Sequence, residues 1–295
     1  MNTWVDLPSA VRDAVEGHVG PISIAEPVTN GIHHDFAAVL HPATSRPVFV
    51  KGVHGINRRM RMLRREATTN LLAPGIAPQV LFTVDVDDWL LVGFDYVHGR
   101  SADLSPGSPD LPRVADVVRR IGALPAPGLR SIRARWDGVD WWAKLAADAP
   151  GLVARWDVRA MSELASKAPE LGDGDRLVHS DLHDDQILLG PDGAVHVIDW
   201  GFPGAGAAWV DPAYLVLRLV EAGHKPDDAE DWARHELPAF AEANDETVTA
   251  FAVYLAGMWT HWAVANDGPG KRHRARLARD YASWRLEAAP TGTGR

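Results

Sequence analysis

The stretch LVHSDLHDDQILLGPDGAVHVIDWG, residues 177–201, concentrates more chemistry than any other part of the chain. A short apolar run, 177–179, leads into a loop dense in His and Asp, and two further apolar runs, 187–189 and 195–198, follow it. Gly190-Pro-Asp-Gly193 makes the turn between the last two. Gly accepts positive φ there and Pro presets a turn dihedral. The final run ends in Asp199-Trp200-Gly201. Carboxylates at strand ends are exposed on loops while a rigid scaffold holds them. Asp181 and Asp199 lie 18 residues apart, a separation the intervening hairpin can close. Two such carboxylates suit two tasks: one accepts a proton, and the other holds a hard cation such as Mg2+ through oxygen.

Upstream, the first hundred residues read mostly as short strands at 22–28, 36–40, 48–53, 80–84 and 89–94, rich in β-branched and aromatic residues. Asn30-Gly31 breaks the first two, a turn pair that reaches positive φ cheaply. Residues 85–88 predict a hairpin between the last two. A helix is predicted over 57–72, where Met60, Leu63, Ala67 and Leu71 recur at helical spacing and Pro74-Gly75 stops the pattern. An earlier helix, 8–18, carries Val11, Val15 and Val19 on one face. The polar break GRSADLSPGSPDLP, 99–112, marks a boundary. It separates a first lobe, 1–98 with a hinge near 93–98, from a second, 99–295. Beyond it the chain predicts helices at 113–124, 139–148, 157–168, 211–222, 227–243, 246–265 and 272–286, with a frayed tail after about 287. The expected class is α+β: a small antiparallel β lobe with one main helix, then a larger, mainly helical lobe.

Composition narrows the function. At 295 residues, with 46% hydrophobic and 23% charged, the chain can bury a core, so wholesale disorder is not expected. It has no Cys, which excludes disulfides, thiolate metal sites and a Cys nucleophile. A net charge of −9 argues against broad nucleic-acid binding. No run of about 18 apolar residues predicts a membrane span. The opening MNTWVDLPSAVRDAVEG lacks a signal-peptide pattern, so a cytoplasmic location is expected. Lys occurs only at 51, 144, 167, 225 and 271, so one in the apolar strand VFVK stands out.

The 177–201 stretch resembles the catalytic region of the aminoglycoside phosphotransferase and choline kinase-like family, which shares the protein-kinase-like fold. The family pattern is roughly H-G-D-x-H-x-x-N, then I-D-[WF]-x about a dozen residues on. Here it reads His179-Ser-Asp181-Leu-His183-Asp-Asp-Gln186, then Ile198-Asp199-Trp200-Gly201. Trp209-Val-Asp211-Pro-Ala-Tyr-Leu is similar to the family's G-D-P-x-x-D-L segment. Val48-Phe-Val-Lys51 resembles the strand bearing the nucleotide-binding Lys, and Arg64-Arg-Glu66-Ala the helix whose Glu pairs with it. Leu90–Gly99, LLVGFDYVHG, is similar to the hinge. The Gly-rich loop corresponds only weakly to Thr29-Asn-Gly-Ile-His-His-Asp35, which has one Gly.

The resemblance implies a two-lobe kinase with its site in the interlobe cleft, moving the γ-phosphoryl group of ATP or GTP, with Mg2+, to a hydroxyl. Asp181 would orient or deprotonate the acceptor. Asp199 and Gln186 would hold the metal. Lys51, paired with Glu66, would touch the α/β-phosphates, Asn30 and Gly31 would lie at the phosphate loop, and the backbone of Asp95, Tyr96 and Val97 would meet the base. Gln186 stands where the family has Asn: it keeps the carbonyl oxygen but adds one CH2. Either the loop shifts to let it ligate, or Asp184 or Asp185 compensates, or metal binding weakens.

The implied acceptor is a small molecule, such as an antibiotic, amino sugar or metabolite, or else a peptide hydroxyl. A nucleotide-binding pseudokinase and a His183-Asp184 metal phosphohydrolase are the rival readings. No nucleic-acid or membrane partner is expected, and the oligomeric state is open. His179 and His183 read as structural braces, Asp211 as a helix N-cap with Pro212 first in the helix, and His33-His34-Asp35 as a solvated loop. Tryptophans in the helical lobe read chiefly as core. Glu221–Glu246 holds nine acidic residues against Lys225 and Arg234. That excess is mostly a solvated face and leaves a cationic acceptor open.

Overall fold

The computed structural model describes residues 2–29 and 34–288. In chain order, α1 (Ser9–Val19) precedes β1 (Ile22–Pro27), β2 (Phe36–Pro42) and β3 (Val48–His54). Then come α2 (Arg58–Asn70), β4 (Val80–Val86), β5 (Trp89–Asp95) and the short β6 (Arg100–Ser101). Helices α3 (Leu111–Ala123), α4 (Ile132–Trp136), α5 (Trp141–Asp148), α6 (Pro150–Val153), α7 (Val158–Ala165) and α8 (Ala168–Leu171) follow. Strands β7 (Arg176–Val178), β8 (Ile187–Leu189), β9 (Val195–Val197) and β10 (Gly204–Gly206) come next. The chain closes with α9 (Val210–Glu221), α10 (Pro226–Glu236), α11 (Pro238–Glu242), α12 (Asp245–Ala265) and α13 (Pro269–Ala288). The α+β class expected from the sequence is what the structure has. The tail expected after about 287 falls, from 289 on, outside the described residues.

Two compact units divide the chain: Met1–Ala102 with Asp185–Pro203, and Asp103–Asp184 with Gly204–Arg295. This differs from a boundary at 98–99, because the 185–203 hairpin joins the first unit. The reason is hydrogen bonding. Strand β6 pairs with β8, Ala102 N–H donates to Ile187 O (2.9 Å), and Val197 N–H donates to Ile76 O (3.0 Å).

The first unit is built on an antiparallel five-stranded sheet in the order β1-β2-β3-β5-β4. Successive side chains along a strand point to opposite faces, and here both faces are covered. On one face Val48 and Val50 of β3 and Trp89 and Leu91 of β5 pack with Val11 and Val15 of α1. On the other, Val53, Leu90, Val92 and Phe94 pack with Met60 and Leu63 of α2. That alternation sets Lys51 on the α2 face, in step with Phe49 and Val53. Asn57 caps α2: its Oδ1 accepts from the N–H groups of Arg59 (2.8 Å) and Met60 (3.1 Å). The β4–β5 hairpin turns on Asp87 and Asp88, at φ 51° and 61°, as a two-residue turn of this kind requires. Gly93 of β5 lies opposite Phe82 of β4, and a Cβ there would sit 2.3 Å from the ring.

In the second unit, α12 is buried on all sides, from Val248 through Trp259, the mark of a core helix. By length and mean hydropathy (1.2) it alone among the described residues passes as a membrane span, which the sequence reading did not expect. Because 78% of that window is buried within the protein, it reads as core. Trp142 Nε1 donates to Val253 O of this helix at 2.9 Å, while the Trp136 ring packs tilted against Phe251 and Tyr254. The helix predicted over 227–243 is two helices, α10 and α11. Pro238 cannot continue α10 and pushes Leu237 to an extended conformation (φ −121°, ψ 92°).

Candidate functional site

In the first unit, three of the expected residues meet. Lys51 Nζ donates to both oxygens of Glu66 (2.9 and 3.0 Å) and to Asp199 Oδ1 (3.1 Å). Strand β3 aims Lys51 at α2, and Glu66 sits on the buried stripe of α2 one turn beyond Leu63. The side chains of Lys51 and Glu66 are 14% and 7% exposed, against 49% for Asp199. Burial pushes the Lys51 ammonium down, but the charges of Glu66 and Asp199 outweigh it and hold its pKa above the ordinary lysine range. The group is a fixed cation with a half-exposed carboxylate beside it.

Asp199 follows β9 in the left-handed region (φ 63°), a conformation that costs a non-Gly residue and persists only when its surroundings impose it. Trp200 imposes it: fully buried, its Nε1 donates to Val197 O at 2.8 Å, while Gly201 N–H donates to Asp199 O at 2.8 Å. Gln186 lies across the same hairpin, its carbonyl accepting from Ile198 N–H at 2.9 Å. Its side chain is buried and its Oε1 has no hydrogen-bond partner among the described residues. A buried amide oxygen left unpaired is costly and calls for a partner. An amide oxygen and a carboxylate on one hairpin are hard oxygen donors, the set Mg2+ takes. The residues present therefore fit the ion.

Asp95 closes the β3–β5 pairing opposite Val48, and Tyr96 and Val97 continue beyond the ladder, half-buried. Asn30 and Gly31, expected at the phosphate loop, lie outside the described residues, as does His33. Asp35 is structural: Oδ1 accepts from Arg59 Nη1 (2.7 Å) and Oδ2 from His54 N–H (2.9 Å).

Asp181 belongs to the second unit, on the loop after β7. The loop is held by Asp211, whose Oδ2 accepts from His179 N–H (2.7 Å) and Oδ1 from Ser180 N–H (2.8 Å). Asp211 is therefore no N-cap. Helix α9 begins at Val210 behind Trp209, no side chain caps it, and Pro212 is its third residue. Burial pushes the Asp211 carboxyl above its usual range, against the pull of His179 and those two N–H groups. The brace fixes Ser180 at φ 63° and leaves Asp181 half-exposed. His179 is fully buried, and His183 Nδ1 lies 3.6 Å from Asp184 Oδ1.

Arg218 of α9 went unremarked in the sequence. Its Nη2 lies 3.8 Å from Asp181 Oδ1, its Nη1 donates to Glu221 Oε2 at 2.8 Å, and its guanidinium lies over Trp259 at 5.3 Å. The signal for it was one Arg in an otherwise apolar helical run, AYLVLRLV.

No protein-family model matches the chain, and no curated protein sequence does. Solved structures do. A thermostable variant of aminoglycoside phosphotransferase APH(4)-Ia, in ternary complex with ADP and hygromycin B, superposes with a TM-score of 0.62 at 14% identity, over 97% of this chain and 100% of that one. Choline kinase LicA from Streptococcus pneumoniae gives 0.64 at 14% identity, over 94% and 100%. An aminoglycoside phosphotransferase from Alicyclobacillus acidocaldarius gives 0.61 at 15%, over 95% and 93%. At these identities the likeness establishes the fold: this chain has the kinase-like fold of those phosphotransferases.

Proposed function

We propose that this chain, folded as aminoglycoside and choline phosphotransferases are, is a kinase that moves the γ-phosphoryl group of ATP or GTP to a hydroxyl of a small molecule. The observation that carries the reading is the Lys51–Glu66–Asp199 cluster, with bonds of 2.9–3.1 Å from one ammonium to two carboxylates. Phosphoryl transfer asks a protein for positioning and charge neutralisation rather than covalent chemistry. Lys51 meets the α- and β-phosphates, and Glu66 keeps its ammonium in place. Asp199 and Gln186 would hold Mg2+, which supplies charge neutralisation at the β- and γ-phosphates. The backbone of Asp95, Tyr96 and Val97 takes the base. Asp181 Oδ accepts the proton of the acceptor hydroxyl. The hydroxyl oxygen then bonds to the γ-phosphorus, the bond from that phosphorus to the β-phosphate oxygen breaks, and the nucleoside diphosphate leaves.

Nucleoside-diphosphate release from ATP or GTP, followed across a panel of hydroxyl acceptors, tests the proposal. Acceptor-dependent release lost in Asp181→Asn by about 10²–10⁴-fold, with nucleotide binding kept, supports it. Nucleotide binding with no acceptor-dependent release, in either protein, would instead favour a pseudokinase.

A further inference from the structure

The acidic surplus of 221–246 is partly taken up by ion pairs, as between Glu221 and Arg218 (2.8 Å) and between Asp245 and Arg234 (2.8 Å). In the same unit a group of cations gathers on α13. Arg272, Arg276 and Arg279 recur at four- and three-residue spacing, which sets them on one face of the helix. They line a cavity of about 700 Å3 between the first half of α13, the end of α12 and Leu152 of α6. All of it lies within the second unit, and its size is that of a small-molecule site.

The charge of this cavity is one-sided. Among the described residues its one carboxylate is Asp267, and Arg272 Nη1 already donates to both of its oxygens. Arg279 Nη1 donates to Thr260 Oγ1 at 2.9 Å, which fixes the side chain against α12. Arg276 Nη2 reaches the His273 ring at 3.4 Å. Neither Arg276 nor Arg279 forms an ion pair among the described residues. A guanidinium carries five N–H donors, so both keep most of theirs for a ligand. Pro269, the first residue of α13, also lines the cavity, and the N-terminus of this 20-residue helix adds partial positive charge. Leu152 and Val264, left 42% and 40% exposed, give the same cavity an apolar part.

We propose that this cavity binds a small organic phosphate monoester, its head held by Arg276 and Arg279 and its apolar body against Leu152 and Val264. A phosphate monoester carries close to two negative charges at neutral pH and three acceptor oxygens, which two guanidinium groups match. A carboxylate offers one charge, and an amine is repelled. The proposal stands apart from the phosphotransferase reading, since none of the residues assigned to phosphoryl transfer lines this cavity.

Calorimetric titration of the full chain tests it, with phenyl phosphate, inorganic phosphate, benzoate and benzylamine as probes. Phenyl phosphate is expected to bind most tightly and benzylamine not at all. Arg276 is exposed, so Arg276→Gln leaves the core intact; it is expected to weaken phenyl phosphate binding by about tenfold or more. Lys271→Gln, exposed on the same helix but outside the cavity, leaves that binding unchanged. No binding of phenyl phosphate, equal binding of inorganic phosphate or benzoate, or equal losses in Arg276→Gln and Lys271→Gln would each overturn the proposal. Binding kept in Arg276→Gln and lost in Lys51→Met would place the probe in the nucleotide site and overturn it as well.

Discussion

Lys51 shows how one residue acquires a role from its surroundings. A lysine in an apolar strand is expensive to bury unless paired, and Glu66 and Asp199 pair it at 2.9–3.1 Å. The cation should therefore persist across the whole working pH range. Its pKa is raised on folding, so its contribution is fully present below the unfolded lysine value of about 10.4 and lost only as pH rises through the higher folded value. The stability gap between the wild type and Lys51→Met should thus stay constant from pH 7 to about pH 9.5 in thermal melts. A gap that closes by pH 9 would show that the pair does not hold the proton. Lys51 and Glu66 were legible through the resemblance, which matched VFVK and RREA to a strand and a helix whose Lys and Glu pair, with Glu66 also bordering the apolar stripe of its helix. Asp211 was misread because its partners, the backbone N–H groups of His179 and Ser180, lie 32 and 31 residues away, where local pattern says nothing. Asp211→Ala leaves two buried donors unpaired, each worth roughly 1–3 kcal/mol. It should lower the melting temperature and impair transfer while ATP binding, which the proposal places on the first unit, persists. Loss of ATP binding together with transfer would contradict that division of labour.

At the scale of elements, α2 matters because it carries Glu66 to Lys51. Met60 and Leu63 hold it on the sheet against Leu90, Val92 and Phe94. Leu63→Ala should cost about 2–5 kcal/mol in denaturant unfolding and weaken ATP binding, since Glu66 lies one turn on. A loss of stability with unaltered ATP affinity would detach the helix from the site. Gly93→Ala should also destabilise, by roughly 1–3 kcal/mol, because its Cβ would meet the Phe82 ring at 2.3 Å. Elements with a clean period were legible: the strands of the sheet, α2 and α12. The two-residue β6, β10 and the short α4, α6 and α8 were not, since they hold too few residues to show a period. Their places are set by tertiary pairing, as when β10 pairs with β7. The split between α10 and α11 was readable at Pro238 and was missed because apolar spacing runs on through it.

For the whole molecule, the proposed chemistry draws on residues of two units. The first holds Lys51, Glu66, Gln186 and Asp199, on a sheet, a helix and a hairpin, and the second holds Asp181 on a loop braced from α9. The hairpin's place in the first unit could not be read from order along the chain, because its β6 partners lie 87 and 89 residues upstream, Ser101 opposite Leu188 and Arg100 opposite Leu189. The fold is shared with phosphotransferases at 14–15% identity, so shape alone does not carry function. The residues do, and their central claim is a phosphate and metal site around Lys51 and Asp199. Calorimetric titration of the purified protein with ATP, with and without Mg2+, meets that claim directly. The account predicts binding that strengthens with Mg2+ and is lost in Lys51→Met. Binding indifferent to both the ion and the lysine, or no binding of either ATP or GTP, would contradict it.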